Sequence, residues 1–317
     1  LIKMPTLPYD GIHHIDMHMK LLDESTLMVS EYPEGIADGP QINANMDYVL
    51  SNYTTKWGTP FDIVRIPSPP QLGGGYPNSG GWYETYSNAV FVNKKILLPT
   101  YYEEYDTTAI RIWQEAMPGY EIIGIDCDGS ENIIASSGAI HCITHSVSVE
   151  DPLIISHLPL PDTENTTEPY SVEAYLSHRS GMIQANLFYS DNPNGPWTEV
   201  SMSDTGDGEN WIAEIPAAPE SSDIFYYISG NADSGKTGAR PMPAPDGWWI
   251  FHVGEITISG IDNFSASQIG AFAPPYPNPA SALTCIPVHL KQDANVKVLL
   301  IDALGRTIEV IHDGMLY

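Results

Sequence analysis

Basic residues are scarce in this chain: 13 Lys and Arg stand against 40 Asp and Glu over 317 residues, a formal net charge of −27. That deficit argues against a nucleic-acid partner, because phosphates are gripped by Lys and Arg. It suits a cationic substrate, since an acidic field concentrates cations, although solubility in a salty or extracellular setting is the plainer cause. No run of about 18 apolar residues occurs, so no membrane span is expected. Cysteine is sparse as well. Cys127, Cys142 and Cys285 form no even framework and no C-x-x-C pair, which argues against a disulfide scaffold or a zinc site built on them. The opening residues, LIKMPTLPYDGIHHID, lack an initiator Met and the basic and apolar regions of a signal peptide. They read as the interior of a domain, so any export signal is expected to lie upstream.

Apolar residues make up 42% of the chain and aromatics 10%, enough for an ordinary globular core. The length fits two or three domains. Residues 1–150 mix strand and helix patterns. GIHHIDMHMKLL, STLMVSEY, FDIVRIP, NAVFVNKKILLP, YEIIGIDC and GAIHCITHSV read as strands, rich in β-branched and aromatic residues. QINANMDYVLSNYTTKWG and DTTAIRIWQEAMPG read as helices, the second stopped by Pro118-Gly119. Residues 151–169, rich in Pro, Thr and Asp, read as a linker. From 170 to 253 short strands alternate with turns such as DNPNG and DTGDGEN, the pattern of an all-β sandwich like an immunoglobulin or fibronectin module. Residues 254–272 form a second linker. Residues 273–317 return to short strands, with turns at Ala303-Leu304-Gly305 and Asp313-Gly314. The fold class is therefore α/β followed by all-β, with no solenoid repeat.

Two constellations carry chemistry. If His14-Ile15-Asp16-Met17-His18 is a strand, His14, Asp16 and His18 share one face. Three polar groups there are costly to bury without partners. Metal ligation, acid–base work beside a carboxylate, and a satisfied polar edge all remain open. The second is His141-Cys142. A free Cys is often merely buried, and a nucleophilic one needs a base. On a strand His141 would face away from Cys142, which makes His14 the better partner. Other features are discounted: Asp126-Cys127-Asp128-Gly129 lacks calcium-loop spacing, Asp204 to Glu209 reads as an acidic turn, and Gly73-Gly74-Gly75 lacks the context of a phosphate cradle. Sequons at Asn52, Asn165 and Asn263 matter only in a glycosylating host.

Three stretches then carry a family resemblance: GIHHIDMHMKLLDE, the run from YSNAVFVN through MPGYEIIGID, and GAIHCITH. In this order and spacing, Gly11 to Ser146 resembles the C-terminal portion of the catalytic domain of the bacterial peptidylarginine deiminase/agmatine deiminase family. Its members are guanidine-modifying enzymes of the pentein α/β-propeller fold. The resemblance implies Cys142 as nucleophile, His14 as acid and base, Asp16 as guanidinium ligand, Asn88 as a substrate-pocket residue, and Gly138 as a point of close backbone approach. It implies no metal and no cofactor. It also implies that a further acidic residue and the rest of the propeller lie before Leu1, so the chain as given is expected to be inactive.

YPNPAS at 276–281 and VKVLLIDALGRTIEVIHDGML resemble a type IX secretion C-terminal sorting domain, clipped soon after Gly314. The 170–253 module resembles the immunoglobulin-like domains between catalytic and sorting domains. Together these imply a secreted or outer-membrane-surface deiminase of a Gram-negative bacterium, with the secretion machinery as partner. Its substrate would be peptidyl-arginine, or a small guanidine such as the agmatine of putrescine biosynthesis. The alternatives are a degenerate deiminase scaffold used for binding or adhesion, and a metal-dependent hydrolase built on His14, Asp16 and His18.

Overall fold

The structure, a computed structural model, describes residues 2–71, 73–77, 81–128, 133–136, 138–254, 270–272, 288–290, 294–301 and 307–316. They are mostly β-sheet with two α-helices, in two compact units, Leu1–Ile256 and Thr257–Tyr317.

The first unit begins with the same arrangement twice. Strand β1 (Met19–Leu21) runs antiparallel to β2 (Thr26–Glu31), helix α1 (Asp38–Asn52) follows, and β3 (Asp62–Pro67) lies parallel to β2. Then β4 (Val90–Val92) runs antiparallel to β5 (Lys95–Thr100), helix α2 (Glu103–Ala116) crosses, and β6 (Glu121–Asp126) lies parallel to β5. A parallel pair needs a crossover, and each helix supplies one. Helix α1 admits Pro40 because its first turn has no amide to lose, and it buries Ile42, Asn45 and Val49 at helical spacing. Helix α2 opens on Glu103, Glu104 and Asp106, which favour its positive N-terminal end, and buries Ala109 and Trp113 one turn apart. Met28, Ile42, Ile66, Ile96, Leu98 and Trp113 from both arrangements join one core.

Of two expected strands, one forms only in part and the other not at all. In GIHHIDMHMKLL only Met19–Leu21 forms a strand. His13 adopts a left-handed φ of 59°, which breaks the run, and Ile15–Met17 coil into a 3-10 turn. In GAIHCITHSV a 3-10 turn covers His141–Ile143. There the amides of Ala139 and His141 are held by the Asn88 side chain and are lost to any sheet.

Residues 154–253 form two antiparallel sheets. One contains β7 (Ile154–Ser156), β8 (Tyr170–Ser177), β11 (Ser203–Asp204) and β12 (Asn210–Ile215), in the order β11-β12-β8-β7. The other contains β9 (Met182–Ser190), β10 (Thr198–Ser201), β13 (Ser222–Ala232), β14 (Thr237–Arg240) and β15 (Trp249–Val253), with β13 at its centre. Val172, Leu176, Leu187, Tyr226, Ile228 and Phe251 share one apolar cluster. Strand β7 and the Thr163–Val253 bridge fall inside the stretch expected to be a linker. Buried His157 sits between Glu173 O at 2.6 Å and the Tyr226 hydroxyl at 3.0 Å, and burial lowers its pKa to about 4.

These sheets touch the first part of the chain where α2 ends. Gly119, with φ +79°, lies so close that a Cβ would stand 2.3 Å from Gly247 N. Lys56 bridges from Glu24, at 3.3 Å, to Ser156.

The second unit contains β16 (Gly270–Phe272) paired with β17 (Val288–Leu290), and β18 (Ala294–Ile301) paired with β19 (Thr307–Leu316), both antiparallel. Asp313-Gly314, expected as a turn, lies inside β19. YPNPAS and Ala303-Leu304-Gly305 lie outside the described residues. Among the described residues no helix is long and apolar enough to cross a membrane.

Candidate active site

Asn88, fully buried just before β4, organises the site. Its Oδ1 accepts the amides of Ala139 at 3.2 Å and His141 at 3.0 Å, which fixes the 139–141 backbone. Its Nδ2 donates to Asp16 Oδ2 at 2.9 Å and reaches Cys142 Sγ at 3.3 Å. One amide offers two donors and one acceptor oxygen, and here every one is used. The neighbouring Ser87 hydroxyl donates to Asp16 O at 3.0 Å, so two adjacent residues hold the Asp16 turn.

Cys142 is exposed, and its Sγ lies 3.8 Å from Asp16 Oδ2. Donor atoms of His14, Asp16 and Cys142 lie within 4.8 Å of one another. The structure therefore brings together residues more than 120 positions apart in sequence. It does so through turns, not through the shared strand face expected from alternation. Gly138 makes room for the thiol itself: a Cβ there would meet Cys142 Cβ at 2.9 Å and Sγ at 3.0 Å.

Two histidines exchange their expected places. His141, expected to face away, points its Nδ1 at Asp16 Oδ2 at 2.5 Å, because a 3-10 turn does not alternate faces as a strand does. His18, expected beside His14 and Asp16, is buried with both ring nitrogens unpartnered among the described residues. Burial lowers its pKa to about 4 against the pull of Asp10 and Asp16. Among the described residues, the grouping within reach of one ion is His14, Asp16 and Cys142, not His14, Asp16 and His18.

The two described thiols differ sharply. Cys127 is buried, with its Sγ 3.3 Å from Ile125 O, and burial beside Asp126 and Asp128 pushes its pKa up to about 11. A thiol held protonated and shielded is inert. Cys142 is the accessible one.

Sequence reasoning missed Glu84. It is buried, its Oε1 accepts from the Tyr102 hydroxyl at 3.1 Å, and burial near Asp128 and Asp106 raises its pKa to about 8. Within the aromatic run WYETY nothing marked it as an inward carboxyl.

Residues 7–147 match the profile of the family described as Porphyromonas-type peptidyl-arginine deiminase. A Vibrio parahaemolyticus protein named "Putative agmatine deiminase" is 28% identical over 148 residues, 42% of this chain and 40% of its own length. An agmatine deiminase of Medicago truncatula is 27% identical over 112 residues, 30% of this chain and 29% of its own length. The solved C. jejuni agmatine deiminase aligns at 24% identity with a TM-score of 0.35, over 44% of this chain and 39% of that one. The chain spans between 28% and 40% of the length of the first curated relatives it matches. Over residues 7–147, this chain is similar to the peptidyl-arginine and agmatine deiminases.

Proposed function

We propose that this protein is a guanidine deiminase acting through Cys142. The observation that carries the reading is the convergence of an exposed thiol, an imidazole and a carboxylate within 4.8 Å, on a segment related to deiminases. Asp16 receives the planar guanidinium, whose paired N–H groups suit a carboxylate. Cys142 thiolate attacks the guanidinium carbon, and the Asn88 amide at 3.3 Å donates to the sulfur and fixes its line of approach. His14 protonates the departing nitrogen, which leaves as ammonia. His14 then takes a proton from water, which attacks the thiouronium carbon. The C–S bond breaks, the ureido product leaves and the thiol is restored. The cation bound on Asp16 lies beside Sγ, so substrate binding itself stabilises the thiolate. Gly138 lets the backbone lie against the Cys142 side chain, where a Cβ would collide with it.

The substrate favoured is peptidyl-arginine, with agmatine or free arginine as the other members of the class. Residues 170–253 are read as an immunoglobulin-like module, supported by their short strands and turns, and residues 273–317 as a type IX sorting domain, supported by YPNPAS and the VKVLLIDALGRTIEVIHDGML run. Secretion to the cell surface follows from that reading and suits a polymeric substrate.

Alkylation of Cys142 by 2-chloroacetamidine and by neutral chloroacetamide, followed by peptide mass spectrometry, tests the proposal. The amidine, a guanidinium mimic, is expected to react at least about tenfold faster, and His14→Ala to slow it. Equal rates for the two reagents would favour a binding scaffold on an idle deiminase frame.

A further inference from the structure

His14, Asp16 and Cys142 offer an imidazole nitrogen, a carboxylate oxygen and a thiol sulfur within 4.8 Å of one another. This is the donor mix that borderline-soft divalent cations accept. A tetrahedral ion with ligands at about 2.0–2.3 Å sets its donors about 3.3–3.8 Å apart. Closure therefore asks the widest pair to move by about 1 Å. His14 and Cys142 are exposed, and the His14 side chain makes no hydrogen bond or ion pair among the described residues, so its torsions are free to turn toward the other two. Asp16 is the fixed member, tied by Asn88 and Ser87. A thiolate and a carboxylate together neutralise a divalent ion, and the net charge of −27 concentrates cations around the protein.

We propose that His14, Asp16 and Cys142 bind a borderline-soft divalent cation, Zn2+ being the type, and that this ion and a cationic guanidine exclude one another. The exclusion rests on the deiminase reading; the ion site does not. Binding forms a metal–sulfur bond as the thiol releases its proton to solvent, with no change of oxidation state. Neutral imidazole and one Asp16 oxygen complete three ligands, and water takes the fourth position. The ion acts as a reversible block on the nucleophile, not as a cofactor.

Titration of the metal-free protein with Co2+ tests this directly, because a cobalt–thiolate bond produces a charge-transfer absorption band. One equivalent should produce the band and Zn2+ should abolish it. Cys142→Ser should lose the band and Cys127→Ser should keep it. His14→Ala and Asp16→Asn should each weaken binding by about tenfold or more. Circular dichroism melts of each variant separate loss of a ligand from loss of the fold. No band, or a band that survives Cys142→Ser, overturns the ion site. A band undisturbed by excess agmatine and by excess arginyl peptide overturns the exclusion and counts against the deiminase reading, while the ion site stands.

Discussion

Replacing Asn88 by Asp changes the shape of the site least and its electrostatics most. The donor that faces Asp16 Oδ2 at 2.9 Å becomes a second carboxylate. Two full charges at that separation repel by about 6 kcal/mol at an effective dielectric constant of 20. Keeping one proton at pH 7 on a carboxyl of ordinary pKa near 3.9 costs about 4 kcal/mol. The proton is the cheaper solution, so the pair shares one, and the folded state holds a proton that the unfolded chain has released. A carboxyl with its folded pKa raised favours the fold at low pH and loses that advantage as pH rises. The Asn88→Asp penalty is therefore expected to be near zero at about pH 4, to grow by about 1.4 kcal/mol per pH unit, and to reach about 4 kcal/mol at pH 7. Urea unfolding of wild type and variant between pH 4.5 and 7.5 measures this difference. Asn88→Ala, which removes the side-chain acceptor of two amides and leaves a small cavity, should show a penalty that is flat with pH. A flat difference for Asn88→Asp as well would refute the placement of Asn88 against Asp16.

Gly138→Ala should slow amidine labelling of Cys142 by about tenfold, since its methyl would press on Cys142 Cβ from 2.9 Å and Sγ from 3.0 Å and the turn must shift to admit it. Iodoacetamide at pH 8 should modify Cys142 well before Cys127, whose buried thiol is pushed up to about 11; equal labelling by peptide mass spectrometry would contradict the burial. Glu84→Gln should gain stability relative to wild type as pH rises from about 4.5 to 8. The raised pKa means that wild type loses stability over that window, on the order of a few kcal/mol, which denaturation at pH 5 and pH 8.5 would register.

Much of the fold was legible because local pattern and tertiary placement agree. The alternation in Tyr170–Ser177 appears as alternate burial, and Ala109 and Trp113 lie on the buried stripe of α2. The repeated strand–strand–helix–strand arrangement was not legible, because TLMVSE and KILLPT match in role and not in identity. The site was half legible. The family resemblance pointed to His14, Asp16 and Cys142, but period-two reasoning gave the wrong faces. It failed where Asn88 draws amides 51 and 53 residues away out of any sheet, and where His13 turns left-handed. His141 was misplaced for the same reason. No pattern along the chain could show that one buried amide ties carboxylate, thiol and loop together.

The most direct test of the central claim is protection of Cys142 by guanidines. Neutral chloroacetamide reacts with the thiol while agmatine, free arginine or an arginyl peptide is titrated in, and the labelled fraction is read by mass spectrometry. The account predicts saturable protection by at least one guanidine, strongest for the arginyl peptide, abolished in Asp16→Asn and not reproduced by the matching urea. Protection by none of the three, or protection that survives Asp16→Asn unchanged, would contradict it.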